Sequence, residues 1–224
     1  MKTLRISLFI TSLSIFLNHG YAREDFFAKI AGEPKVSMES DKWFNISVPF
    51  TLHNNPSQIA LNGTRPSSVE QAFNPEFIDN FKIKILICFS NEFNKRLFRA
   101  NNLPESSFYE YYGAEIEFAT MKMQRSIQYG NFLFPVPIAE RNGYGKSRLT
   151  LTGYAIEFFI DGSPLELSNS IYFGKYKDEA TLNKFKEIAS EKSSSNRGIL
   201  LPGHYFFPNL SPSGSVPKFP HYEK

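Results

Sequence analysis

Phe81-Lys82-Ile83-Lys84-Ile85-Leu86-Ile87-Cys88-Phe89 places an apolar side chain at every second position, with Lys82 and Lys84 on the opposite face. Period-two alternation is the pattern of a strand with one buried face. Past Lys84 the second face also turns apolar, at Leu86 and Cys88, which fits a central strand better than an edge. Burying the five inward side chains contributes roughly 8–15 kcal/mol at about 1.5–3 kcal/mol each. Ordering the backbone costs a similar amount in chain entropy, so this strand persists only inside a sheet.

Working outward, the same device recurs. Phe44, Ile46, Val48, Phe50 and Leu52 share one face of residues 43–52, and Pro49 assigns that strand to an edge or a bulge, because proline donates nothing to a ladder. Further strands are read at Tyr112 to Met121, Gly130 to Val136, Arg148 to Ile160 and Leu165 to Phe173, with Ala114, Ile116 and Phe118 inward and Glu115 and Glu117 outward. Asp161-Gly162-Ser163-Pro164 is a hairpin signal, and Asn62-Gly63 and Asn142-Gly143 mark other turns. Short helical turns are expected at Asn74-Pro75-Glu76 and Leu103-Pro104-Glu105. Strands at this spacing without helical patterns between them predict a mainly β, antiparallel sandwich or barrel over residues 41–175.

One amphipathic helix is predicted at 176–192, where Leu182, Phe185, Ile188 and Ala189 recur at helical spacing, and it is expected to dock on the sandwich. Residues 193–224 then read as a Ser-rich linker, a short strand within Gly198 to Phe207, and a tail holding Pro208, Pro212, Pro217 and Pro220 that favours extended chain. At the other end, Lys2 and Arg5 precede an apolar run from Ile6 to Leu17 and the small residues Gly20 and Ala22, the layout of a cleavable signal peptide over 1–22. That run is too short to span a bilayer, so the expectation is export to the periplasm or the extracellular space without an integral span after cleavage. Residues 23–40 are read as an N-terminal extension.

Charge nominates no partner. Removing 1–22 takes two of the 25 basic residues and no acid, leaving 23 against 22. The basic residues are scattered, which argues against a nucleic-acid face. Cys88 is the one cysteine, so no internal disulfide forms, and its apolar setting reads as a buried, inert thiol. His53, His204 and His221 show no metal-ligand spacing, so neither metal nor cofactor is expected. There is no G-x-S-x-G, and Gly143-Tyr144-Gly145-Lys146 lacks the spacing of a phosphate loop. Glu115 and Glu117 share a strand face about 7 Å apart by the strand rise, but an outward, solvated role outweighs paired-carboxylate hydrolysis. No catalytic, cofactor or metal residue is assigned, and the chain is read as non-enzymatic. Asn45, Asn62 and Asn209 lie in glycosylation sequons, which matter only in a eukaryotic source.

The stretches Trp43-Phe44-Asn45-Ile46-Ser47-Val48-Pro49-Phe50, Asn74-Pro75-Glu76-Phe77-Ile78-Asp79 and Tyr111-Tyr112-Gly113-Ala114-Glu115-Ile116-Glu117 carry a resemblance, with the Phe-Leu-Phe-Pro run at 132–135. Over residues 41–175 the chain resembles exported immunoglobulin-like proteins of Verrucomicrobia, some linked to type IV pilus-like gene clusters. The resemblance implies an immunoglobulin-like sandwich and an accessory or adhesive role in a pilus-like assembly. It implies no catalytic residues, and without a disulfide Trp43 has no inter-sheet bridge to pack on. The expected function is a protein contact through an edge strand around Pro49, an aromatic rim or the tail from Pro208. The alternative is a carbohydrate-binding module using Tyr109, Tyr111 or Tyr112.

Overall fold

The computed structural model describes residues 27–53, 74, 76–98, 103–145, 149–165 and 178–219. The signal peptide, the Asn62-Gly63 turn, His221 and residues 166–173 of the expected strand lie outside the described residues.

Two antiparallel sheets face each other. One is built from β1 (Ala28–Ile30), β2 (Lys35–Ser40), β3 (Trp43–Leu52), β6 (Gln128–Pro135) and β9 (Leu201–Pro202). Its order is β1-β3-β6-β9, with β2 also paired to β3. The other holds β4 (Phe77–Ser90), β5 (Tyr109–Lys122), β7 (Gly153–Ile160), β8 (Ser163–Pro164) and β10 (Ser215–Pro217) in the order β10-β5-β4-β7-β8. The inward faces are those the alternation assigns: Phe44, Ile46, Val48 and Phe50 meet Phe81, Ile83, Ile85 and Phe118, all buried. At the centre Phe81 sits 5.8 Å from Phe50 and 5.4 Å from Phe158, ring centroid to centroid. Gly130 keeps the layers close, because a Cβ there would stand 2.9 Å from Ile83 Cδ1.

β4 is central, flanked by β5 and β7, as Leu86 and Cys88 suggest. Their outward side chains are covered by α3 (Glu179–Lys192), which buries Leu182, Phe185 and Ala189 against Leu86, Cys88, Tyr111 and Ala155. Asp178 starts this helix by accepting from Thr181 N at 2.7 Å, the arrangement an N-cap aspartate favours.

Four expectations need correction. β3 is an interior strand, not an edge: it pairs with β6 on one side and with β1 and β2 on the other. Pro49 fits because its missing donor falls where β1 ends and β2 has not begun, and only its carbonyl is used there, accepting from Ala31 N at 2.9 Å. Secondly, residues 28–40 hold two strands, β1 and β2, rather than a plain extension. Thirdly, the proline-rich tail is docked: β10 pairs with β5, and Pro208–Leu210 forms a 3-10 turn. Proline is compatible with such an edge position. Within Gly198 to Phe207 only Leu201–Pro202 is strand. Fourthly, two short helices appear between strands, α1 (Glu92–Leu97) and α2 (Val136–Asn142), so strand pairing stops at Pro135. The next strand, β7, begins at Gly153 rather than Arg148.

Candidate functional site

The residues singled out from sequence do not converge on a chemical centre. Glu115 and Glu117 lie on the outer face of β5, and each is neutralised by a lysine: Lys82 Nζ at 3.1 Å and Lys218 Nζ at 2.6 Å. His53 Nε2 is 2.9 Å from Thr51 Oγ1 on the surface, while His204 is buried far along the chain. No cluster of three or more metal-ligating side chains exists among the described residues. Cys88 is buried beneath α3.

The tyrosine surface for a glycan does not form. Tyr111 is buried under α3 and Tyr112 lies in the inter-sheet core. Only Tyr109 keeps partial exposure. The strand register explains this, since Ile87 pairs with Tyr112 and so shares its inward face.

A polar cluster closes one end of the sandwich, where β4, β5 and α2 meet. The Glu110 carboxylate accepts from the Asn91 amide and the Tyr144 hydroxyl, from Asn142 Nδ2 at 3.0 Å and from the Tyr112 hydroxyl at 3.0 Å. Burial, first among the causes, pushes the Tyr112 phenol up to about 12, and burial with the Glu110 carboxylate raises Tyr144 as well. Both phenols therefore stay protonated and keep donating. Asn91 also accepts from Asn94 N at 2.8 Å, so it caps α1 and ties it to Glu110. Gly143, at φ 73°, ends α2 in the left-handed region. A Cβ at that position would stand 3.2 Å from Phe93 N, so the two helices touch closely. The cluster fastens α1 to the sandwich.

Beside the exposed Glu92 and Arg96, α1 displays large apolar side chains. Phe93, Leu97 and Phe98 are 54%, 61% and 42% exposed, and neighbouring Leu103 is 47% exposed. The helix buries none of its residues. An open hollow of about 500 Å³ lies between α1 and the 3-10 turn Glu105–Phe108. Lys95 spans its rim, 3.2 Å from Glu92 and 3.0 Å from Glu105. The hydrogen bond it donates to Glu105 raises the Lys95 ammonium above its ordinary value, and Ser90 followed by Lys95 lowers Glu92. Large apolar side chains exposed close together in this way make this end a candidate contact face. Sequence reading missed it because the period of α1 is too short to register, and Phe93 and Leu97 resemble any loop hydrophobics.

A second opening lies on the side of the sandwich, between β2 and the start of β7. It is a cleft of about 680 Å³ of mixed lining, with Val36, Leu149, Leu151 and Tyr154 beside Glu33, Lys35, Thr150 and Thr152.

The strand order places the chain in a class. β1–β2, β3 and β6 stand as strands A, B and E of an immunoglobulin-like sandwich, and β5, β4, β7 and β8 stand as C′, C, F and G. β9 occupies the place of D beside β6, and β10 that of C″ beside β5, both supplied by the C-terminal segment. The chain is similar to a solved crystal structure of a protein from Akkermansia muciniphila, with a TM-score of 0.56 at 14% identity, covering 86% of this chain and 94% of that one. The likeness is one of fold. No protein-family model and no curated protein matches the sequence.

Proposed function

We propose that the protein is a non-enzymatic, exported binding or structural protein of the cell envelope, periplasmic or extracellular, that meets a protein partner through the apolar end built on α1. The observation that carries this reading is the exposure of Phe93, Leu97, Phe98 and Leu103 on one helix and its neighbouring turn. Lys95 bridges Glu92 and Glu105, and with Arg96 the charges lining the hollow sum to zero, so the exposed apolar side chains are the anchors offered to a partner. The export layout of residues 1–22 and the resemblance to exported immunoglobulin-like proteins of Verrucomicrobia support an envelope setting, with an accessory place in a pilus-like assembly.

The test is capture from a solubilised envelope fraction on the immobilised mature chain, comparing wild type with Phe93→Ser/Leu97→Ser and with Lys184→Ala on exposed α3. One or more proteins lost at least about tenfold by the double variant, and retained by the control, is the expected result, since a buried apolar anchor contributes upward of 1.4 kcal/mol. Equal capture by all three baits refutes the assignment.

A further inference from the structure

The four sheet edges are not alike. β8 ends at Pro164, β9 is Leu201–Pro202, and β10 is three residues with a register shift at Val216/Pro217. Each is short and carries a proline, the usual means of blunting an edge. β2 differs in length: Lys35–Ser40 is six residues without proline, its register shift falls only at the far end between Met38 and Ser40, and among the described residues nothing pairs with its outer side.

Two features make this edge an unfinished one. Ala31 N bonds Pro49 O and His53 N bonds Phe27 O, so the odd-numbered residues of β3 direct their main-chain groups toward β1 and β2. In an antiparallel pair the residues opposite them, Lys35 on Ser47 and Ser37 on Asn45, turn inward to the ladder. The amides and carbonyls of Val36 and Met38 therefore point outward. Their side chains, opposite Ile46 and Phe44, lie on the core face of the sheet. Val36 packs against the core, yet Met38 is 49% exposed. Beside Val36 opens the cleft whose far wall is Leu149, Thr150, Leu151 and Thr152, the segment leading into β7, and Tyr154 of β7 itself.

We propose that the β2 edge accepts an extended segment of a partner protein by strand addition. Main-chain pairing falls on Val36 and Met38, and every second partner side chain is apolar and enters the cleft. An extended chain is the one ligand that satisfies a row of outward donors and acceptors at strand spacing while filling a slot between two sheets. This surface is separate from α1 and stands on its own observations.

Selection of a random 12-residue peptide library, about 12 being enough to cover one strand, on the full mature chain provides the test. The enriched peptides are expected to carry apolar residues at alternate positions and to slow amide exchange at Val36 and Met38. Met38→Pro removes one outward donor without touching the β3 ladder and is expected to weaken those peptides about tenfold. Met38→Lys keeps the donor but sets an ammonium against the incoming apolar side chains, and is expected to weaken them similarly. Phe93→Ser/Leu97→Ser is expected to leave them unchanged. Absence of an alternating consensus, binding indifferent to both Met38 variants, or binding lost with the α1 variant overturns the proposal.

Discussion

His204 stands edge-on to Phe219, their ring centroids 5.3 Å apart and their planes at 77°. Tyr205 stacks on the same phenylalanine at 5.7 Å, and the His204 ring bonds the Lys218 main chain. Because β9 belongs to one sheet and β10 to the other, these contacts clasp the C-terminal segment across the open side of the sandwich.

The clasp makes stability acid-sensitive. Burial holds the His204 imidazole below its ordinary 6.5, so the unfolded chain takes up the proton first. The neutral ring's contribution is intact above about pH 6.5 and is lost as the pH falls toward the folded-state value. Urea unfolding between about pH 7 and 5 should show this decline in wild type and a flatter curve in His204→Phe, which keeps a ring but binds no proton. Glu92 and Asp178, both held below their ordinary values, lose their contributions only at lower pH.

Deleting residues 208–224 is expected to destabilise the domain rather than merely free a tail. Among the hydrogen bonds the deletion removes, three tie the segment to the sandwich through main-chain groups: Lys122 N to Gly214 O, Lys218 N to Glu117 O, and Asn131 Nδ2 to Leu210 O. At about 1 kcal/mol net for each, the loss is about 3 kcal/mol. An unchanged midpoint in thermal unfolding of the truncated protein contradicts a structural role for β10.

Much of this architecture was legible in the sequence, and the failures have physical reasons. Alternation in Phe81–Phe89 reported both the inward face and the second cover, since Leu86 and Cys88 need α3 above them. Pro49 was misleading because a proline identifies a missing donor, and an interrupted neighbour strand satisfies that condition as well as a sheet edge does. The tail was misjudged on composition: Pro212 and Pro217 bracket Ser215 and Val216, which suffice for a short outer strand. The surfaces proposed for partner contact lay below the resolution of pattern. Met38 and Leu97 become informative only when their exposure is known.

The α3 interface can be read through Cys88. Its thiol is 3% exposed beneath Leu182 and Phe185, and a buried thiol in apolar surroundings reacts slowly. Phe185→Ala removes part of the cover and loosens the helix, at a cost of about 3–5 kcal/mol to the packing. Labelling of native protein by a thiol reagent should therefore accelerate well beyond tenfold in the variant. Equal rates would mean that the helix already lifts freely from the sheet.

The spacing of the two sheets is set where Gly130 faces Ile83. Gly130→Ala would bring a methyl group 2.9 Å from Ile83 Cδ1, inside van der Waals contact, in a core where Ile83 is fully buried. Overpacking of this kind costs about 1–3 kcal/mol. The methyl in conflict is the one that Ile83→Val deletes, whereas Ile83→Val alone costs about 0.5–1.5 kcal/mol by leaving a void. The double variant is expected to be more stable than the sum of the single effects, by a coupling of about 1 kcal/mol in a denaturant cycle. Strict additivity would show that the layers separate to admit the alanine, and that their spacing is not fixed at this contact.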